Sequence, residues 1–232
     1  MREIVFDTET TGLDPLTGDR LVEIGCVELV NRIPTGATFH AYFNPERDMP
    51  AAAEAVHGLS ARFLSDKPLF RSKAAELLDF LGDSVLVAHN ARFDFGFLNA
   101  ELQRCSHPIV DMGRMIDSLT IARSLHPGAK HSLDALCSRY GIDRSHRVKH
   151  GALLDAELLA QLYIELTGGR QIGLTLVAEE HVAVVVSGAA VIRPVTRAAR
   201  PPRLFSPSEQ ELARHLAFLE RIDNPLWLDR SV

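Results

Sequence analysis

Near the start of the chain, three short runs, Glu3–Asp7, Leu21–Val30 and Thr38–Phe43, are β-branched or alternate apolar with polar residues. Gly, Pro, Asn and Asp separate them. Side chains on a strand point alternately to its two faces, so this pattern predicts a three-stranded meander. From Pro68 the period changes. Leu69, Phe70, Ala74, Leu77, Leu78 and Leu81 repeat at the spacing of one helix face, and Gly82 stops the pattern. Ser84–His89 is a continuous apolar run, as expected of a strand covered on both faces. Phe93, Phe97 and Ala100 then predict a helix with Asn90 as its cap. Further helices are predicted over Ser132–Tyr140, capped by Ser132, and Ala152–Leu166, closed by Thr167-Gly168-Gly169. Strands first, then strand alternating with helix, predict a mixed α/β sheet flanked by helices.

Beyond Gln171 the pattern changes. Residues 192–203 hold four Arg, three Pro and no acid, a composition suited to an extended linker. Pro207-Ser208-Glu209 then opens a helical pattern through Leu212, Leu216 and Leu219, and the only tryptophan follows in Leu226-Trp227-Leu228. Two readings of this tail stand side by side: a docking peptide for a partner, or a helix folded back on the same domain.

At 46% hydrophobic and 24% charged residues, the 232-residue chain is not disordered throughout. Its net charge of -5 excludes binding of nucleic acid by bulk charge, so any such role must be local. An aromatic content of 6% leaves few stacking platforms for a free single-strand-binding module. Cys26, Cys105 and Cys137 are odd in number and form no C-x-x-C pair, which predicts buried thiols in a reducing compartment. The N-terminus reaches two carboxylates by Asp7 and a third at Glu9, too early for a signal peptide, and the longest apolar run, Val182–Ile192, is too short to span a bilayer. The expectation is a cytoplasmic protein.

The candidate chemistry lies in acids placed at element ends. Asp7 and Glu9, two apart at the close of the first strand, share a face and repel unless a cation lies between them. Asp94 stands in the first turn of the helix after the second apolar strand, and Asp155 near the start of the last long helix, behind a loop carrying His150. Each has an ordinary explanation alone, since a solvated strand end or a helix-start acid needs no function. Together, four acids and a histidine from rigid elements are what two hard divalent ions require: oxygen ligands converging on one point. Such an ion pair can orient and activate water for in-line phosphoryl displacement, and a histidine, with an ordinary pKa of about 6.5, can take the proton.

The segments Phe6-Asp7-Thr8-Glu9-Thr10-Thr11-Gly12, His89-Asn90-Ala91-Arg92-Phe93-Asp94 and His150-Gly151-Ala152-Leu153-Leu154-Asp155 resemble the three motifs of the DEDD exonuclease superfamily, in its His-containing branch. Val56-His57-Gly58, His131-Ser132-Leu133-Asp134-Ala135-Leu136-Cys137 and the stretch from Asp155-Ala156 to Thr167-Gly168-Gly169 resemble that branch's family of proofreading subunits from bacterial replicative polymerases. The resemblance covers roughly residues 1–176. It implies a ribonuclease H-like fold with a C-terminal extended or helical tail, two Mg²⁺ or Mn²⁺ ions per site, and 3′–5′ removal of nucleotides from DNA as 5′-monophosphates. By the same resemblance Asp7, Glu9, Asp94 and Asp155 are metal ligands and His150 is the general base. Asp7, Glu9, Thr10, His57 and Asp155 would contact the terminal nucleotide. The family often has a Glu five residues before the motif histidine; here that residue is Ala52, with Glu54 two positions off.

The layout implied is an exonuclease domain over 1–176, a linker over 177–206 and a polymerase-docking tail over 207–232. Gln171–Leu176 is similar to the family's sliding-clamp-binding peptide. Partners implied are the polymerase (alpha) subunit, the sliding clamp and the single-stranded 3′ end of DNA, with a theta-like subunit left open and no membrane. Arg139, Arg144, Arg147 and Lys149 are either phosphate contacts or a solvated face. Two alternatives remain: an exonuclease for RNA ends or small oligonucleotides, which would need no long tail, and a stabilising polymerase subunit with a degenerate site, against which all five filled positions argue.

Overall fold

The computed structural model describes residues 1–145, 147, 149–169 and 206–222. It divides into two compact units, Met1–Leu176 and Val177–Val232. In the first, β1 (Arg2–Thr10), β2 (Leu21–Val30) and β3 (Ile33–Tyr42) form the predicted antiparallel meander. β3 starts at Ile33 rather than Thr38. Asn31 and Arg32 take left-handed conformations (φ 52° and 62°) that turn the chain in two residues and pair Val30 with Ile33. Residues 33–38 lie on an exposed edge, so burial leaves no alternation there to read.

Three helices follow, α1 (Ala51–His57), α2 (Ala61–Leu64) and α3 (Phe70–Leu81), the third matching the predicted apolar face. β4 (Val85–Ala88) is the buried run, α4 (Arg92–Arg104) follows it, and β5 (Met115–Asp117) and α5 (Ser118–Leu125) lead to α6 (Leu133–Tyr140) and α7 (Ala152–Leu166). Asn90 is not the cap of α4. It adopts a left-handed turn (φ 66°) with its N–H on Asp117, and Ala91 stands at the N-cap without a side-chain bond. Ser132 caps α6 as expected, accepting from the Ala135 N–H.

The sheet order is β3-β2-β1-β4-β5, with β1, β4 and β5 parallel. Alternation along the strands feeds two cores. Ile4, Phe6, Ile24 and Leu86 pack with α3 and α4 on one face; Val5, Val27, Leu29 and Val87 pack with α5, α6 and α7 on the other. Each large side chain buried here contributes about 1.5–3 kcal/mol. Helix α7 is apolar nearly all round, and Ala152, Ala156 and Ala160, spaced by four, present small buried side chains. It packs on β1 and β2, where Glu3, itself buried, accepts a 2.7 Å bond from the Tyr163 hydroxyl. Because β1 and β4 are parallel, their carboxyl ends open on the same side, the position at which open α/β sheets place ligands.

In the second unit, α8 (Glu209–Leu219) is the predicted helix after Pro207. The Ser208 hydroxyl and the Glu211 carboxylate satisfy each other's backbone N–H in a capping box. Leu212, Leu216 and Phe218 are exposed along it. No described helix is long and apolar enough to cross a membrane. The tryptophan, the Arg/Pro segment 192–203 and Gln171–Leu176 lie outside the described residues.

Candidate active site at the carboxyl end of the central strand

Asp7 and Glu9 lie in the half of β1 that runs past its pairing with β4, which ends at Val5–Val87. Asp94, three residues into α4, reaches the same end of the sheet and accepts a 2.7 Å bond from the Thr8 hydroxyl. Asp155, four residues into α7, arrives from the other face. Glycine makes that approach possible. Gly25 is the cross-strand partner of Asp7, and a Cβ there would collide with the backbone of Ala152 and Leu153. The first turn of α7 therefore rests directly on β2, beside β1.

Ligand atoms of Glu9, His150 and Asp155 all lie within 4.8 Å of one another. Glu9, Asp94 and Asp155 are buried, whereas Asp7 is partly exposed and His150 exposed. Such crowding of acids shows in their proton affinities. Burial, then the charges of Asp94, Glu9 and Asp155, holds the Asp7 carboxyl well above the usual range. Burial first, then Asp155, Glu23 and Asp94, pushes Glu9 up to about 8. Glu23, its cross-strand neighbour, is a further buried acid, held by the His40 Nε2 at 2.7 Å. Asp94 is pushed up to about 7 by burial, with the Thr8 hydroxyl pulling the other way. A hard cation among these oxygens would relieve the repulsion, so the donor set fits a divalent metal.

Arg147 is the positive charge already present. Its side chain is 8% exposed, and its guanidinium donates to both Asp155 oxygens at 2.5 and 2.7 Å, to Asp134 at 2.7 Å and to the His150 Nδ1 at 2.8 Å. A run of charges around His150 suggested phosphate contacts or a solvated face; the buried pairing of Arg147 with Asp155 is neither. Sequence carried no signal for it, nor for Gly25 and Thr8, because each acts through a contact between distant segments. Arg144 also pairs with Asp134, and Asp134, Arg144, Arg147, Lys149 and His150 line a cavity of about 330 Å³.

A second cavity, of about 580 Å³, adjoins the acids. Glu9, Thr10, Ala52, Val56, His57 and Phe93 are among the residues lining it. The Thr10 hydroxyl is turned to the Gly12 carbonyl, at 2.5 Å. His57 is buried, its Nδ1 accepts the Leu59 N–H at 3.0 Å, and its Nε2 is the one buried side-chain polar atom among the described residues without a hydrogen-bond partner. Burial pulls its pKa below the ordinary imidazole value. A neutral ring with Nδ1 accepting carries its proton on Nε2, a donor that makes no well-aligned hydrogen bond although the Thr10 backbone lies close enough to favour the ring's proton. Ala52, in place of the usual family Glu, leaves its part of this cavity apolar.

An exonuclease family model matches residues 4–163. Over 225 residues, 96% of each chain, the sequence is 47% identical to the DNA polymerase III subunit epsilon of Rickettsia conorii. It is 41% identical to the subunit of the same name from Escherichia coli K12, covering 95% of this chain and 93% of the relative. Among solved structures, Exonuclease X in complex with 5′ overhanging duplex DNA matches with a TM-score of 0.54 at 26% identity, over 71% of this chain and 90% of that one. The nuclease domain of 3′hExo, a DEDDh family member bound to rAMP, shares the fold with a TM-score of 0.62 at 17% identity, over 72% and 91%.

Proposed function

The chain belongs to the exonuclease family, among the epsilon subunits of DNA polymerase III, and is thus a 3′–5′ exonuclease of the replicative polymerase; on that premise we propose how its residues divide the work. The family depends on divalent metal. Asp7, Glu9, Asp94 and Asp155 would hold two ions, Mg²⁺ or Mn²⁺, which when bound activate water and neutralise charge on the scissile phosphate. The observation carrying this reading is the convergence of buried carboxylates from β1, α4 and α7, with Glu9, Asp155 and His150 within 4.8 Å.

His150, exposed at the mouth of the cluster, serves as general base and takes the proton from the attacking water. His57 donates from Nε2 to the terminal nucleotide in the 580 Å³ cavity, and the backbone around Thr10 lines the same nucleotide. Ala52 removes a carboxylate contact to the sugar, so the apolar wall of Ala52, Val56 and Phe93 takes a larger share of holding that nucleotide. A mispaired end frays at lower cost than a paired one, which selects it for this single-strand site.

The net charge of -5 leaves little attraction for free DNA, which supports delivery of the strand by the polymerase partner. Helix α8, with Leu212, Leu216 and Phe218 exposed, supports residues 207–232 as the polymerase-docking tail, reached through a linker over 177–206 from a nuclease domain over 1–176. Gln171–Leu176 is proposed as a sliding-clamp peptide.

The test is nucleotide release by the purified chain with Mg²⁺ from a 3′-mismatched DNA primer and from an RNA oligonucleotide of the same sequence. Deoxynucleoside 5′-monophosphates should appear, faster from DNA, and Asp7→Ala should abolish them. Unchanged release by Asp7→Ala would refute the site; equal rates on RNA would refute DNA selectivity. Deleting residues 180–232 should spare hydrolysis and end co-purification with the polymerase subunit.

A further inference from the structure

Arg147 stands where the proposed chemistry has no place for it. Both oxygens of Asp155 receive its N–H groups side by side, the fork geometry that makes arginine–carboxylate pairs strong. The same guanidinium donates to the His150 Nδ1, and arginine has no acceptor, so that nitrogen's lone pair is engaged. One cation therefore engages the carboxylate assigned to metal and the ring assigned to the proton. Its charge also acts on Asp7 and Glu9, whose carboxyls it draws down against the effect of burial.

We propose that Arg147 is a built-in counter-ion that locks the metal-free site and must leave Asp155 and His150 for metal to load. The proposal rests on the assignment of Asp155 as a metal ligand. Two observations say where the side chain goes. Asp134 holds another guanidinium nitrogen at 2.7 Å, is itself half-exposed, and lies outside the acid cluster. The adjoining cavity of about 330 Å³, lined by Asp134, Arg144, Lys149 and His150, gives the guanidinium room to turn while that bond is kept. Released, Arg147 joins Arg144 and Lys149 on a positive wall beside the site, so locking and loading exchange one cation for another and leave no buried acid without a counter-charge. Arg147 is thus a gating residue rather than a catalytic one.

Two cations competing for one carboxylate are coupled, and such coupling ordinarily amounts to roughly 5–150-fold in affinity. The experiment is titration of the full-length chain with Mn²⁺, reading free Mn²⁺ by electron paramagnetic resonance and, in parallel, the melting temperature with and without Mn²⁺. Arg147→Ala should bind Mn²⁺ at least about tenfold more tightly than wild type. It should also melt lower without metal and gain more on adding it. Arg147→Lys, which keeps the charge but loses the fork, should fall between, and Arg147→Gln, with its N–H donors kept, serves as the neutral variant if Arg147→Ala does not fold. Unchanged or weaker Mn²⁺ binding by the folded neutral variants overturns the lock and makes Arg147 a support for the loaded ligand, leaving the metal site standing. Absence of Mn²⁺ binding by wild type and variants alike removes the metal site and the lock together.

Discussion

Gly25→Ala tests whether the approach of α7 to the sheet assembles the site. The added methyl would lie about 1 Å inside ordinary contact with the Ala152 and Leu153 backbone, which cannot rotate away as a side chain could. Gly25 does not have a positive φ, so the cost is steric. Either α7 retreats at its first turn or β2 bends, and overpacking of this kind costs about 1–3 kcal/mol. For a chain of this size each kcal/mol lowers the melting temperature by about 2–4 °C. The functional effect is larger, because Asp155 lies two residues beyond Leu153 and a displacement of about 1 Å can cost on the order of 10²-fold in rate. The assay is nucleotide release from single-stranded DNA at saturating Mg²⁺, well below the variant's melting point. A rate within about twofold of wild type, with the expected fall in melting temperature, would refute the idea that contact between β2 and α7 sets the site.

Four further outcomes follow. The raised carboxyls of Glu9 (4.5 to about 8) and Asp94 (3.8 to about 7) bind protons more tightly when folded, so the stability they add is full below about pH 4 and is lost as pH rises through 7 to 8. Metal-free protein should therefore melt at lower temperature at about pH 8.5 than at about pH 5, with Mg²⁺ cancelling the fall; a flat metal-free profile would contradict the crowding. Asp94→Asn should abolish hydrolysis yet raise metal-free stability at about pH 8.5, where the carboxyl is ionised, and change it little at about pH 5, read by denaturant titration, because it removes a buried charge that repels Asp7. Glu101 is fully buried, with Arg20 at 2.6 and 2.9 Å and Arg104 at 3.0 Å; Glu101→Gln should cost about 3–5 kcal/mol with the rate per folded molecule unchanged. Gly96→Ala, in the interior of α4 with nothing near the new methyl, should stabilise by about 0.5–1 kcal/mol in the same titration.

Local periodicity was enough for the meander, for α3, α6 and α7, and for the helix after Pro207, since each has a repeating apolar face. It did not reveal α1, α2, α5, β5 or the early half of β3, because short elements with at most two buried residues and an exposed edge carry too few buried positions to show a period. Residue type alone makes Asn90 a cap candidate, but its N–H is engaged by Asp117, far along the chain, and its backbone is left-handed.

The five candidate positions were legible only as a set: a solvated strand end or a helix-start acid is ordinary taken singly, and it is the conjunction of Asp7, Glu9, Asp94, His150 and Asp155 at the ends of successive elements that stands out. Sequence by itself therefore determined the family, the order of the longer elements and a candidate set of acids. What only the tertiary structure decided is which groups meet, and with what consequence: the Gly25 gap that seats α7, the Thr8 bond to Asp94, the burial of His57 at the wall of the second cavity, and the guanidinium of Arg147 on Asp155. Proton affinities and counter-charges depend on burial and on distances of a few ångströms between segments remote in the chain, and these exist only once the two faces of the sheet have been covered.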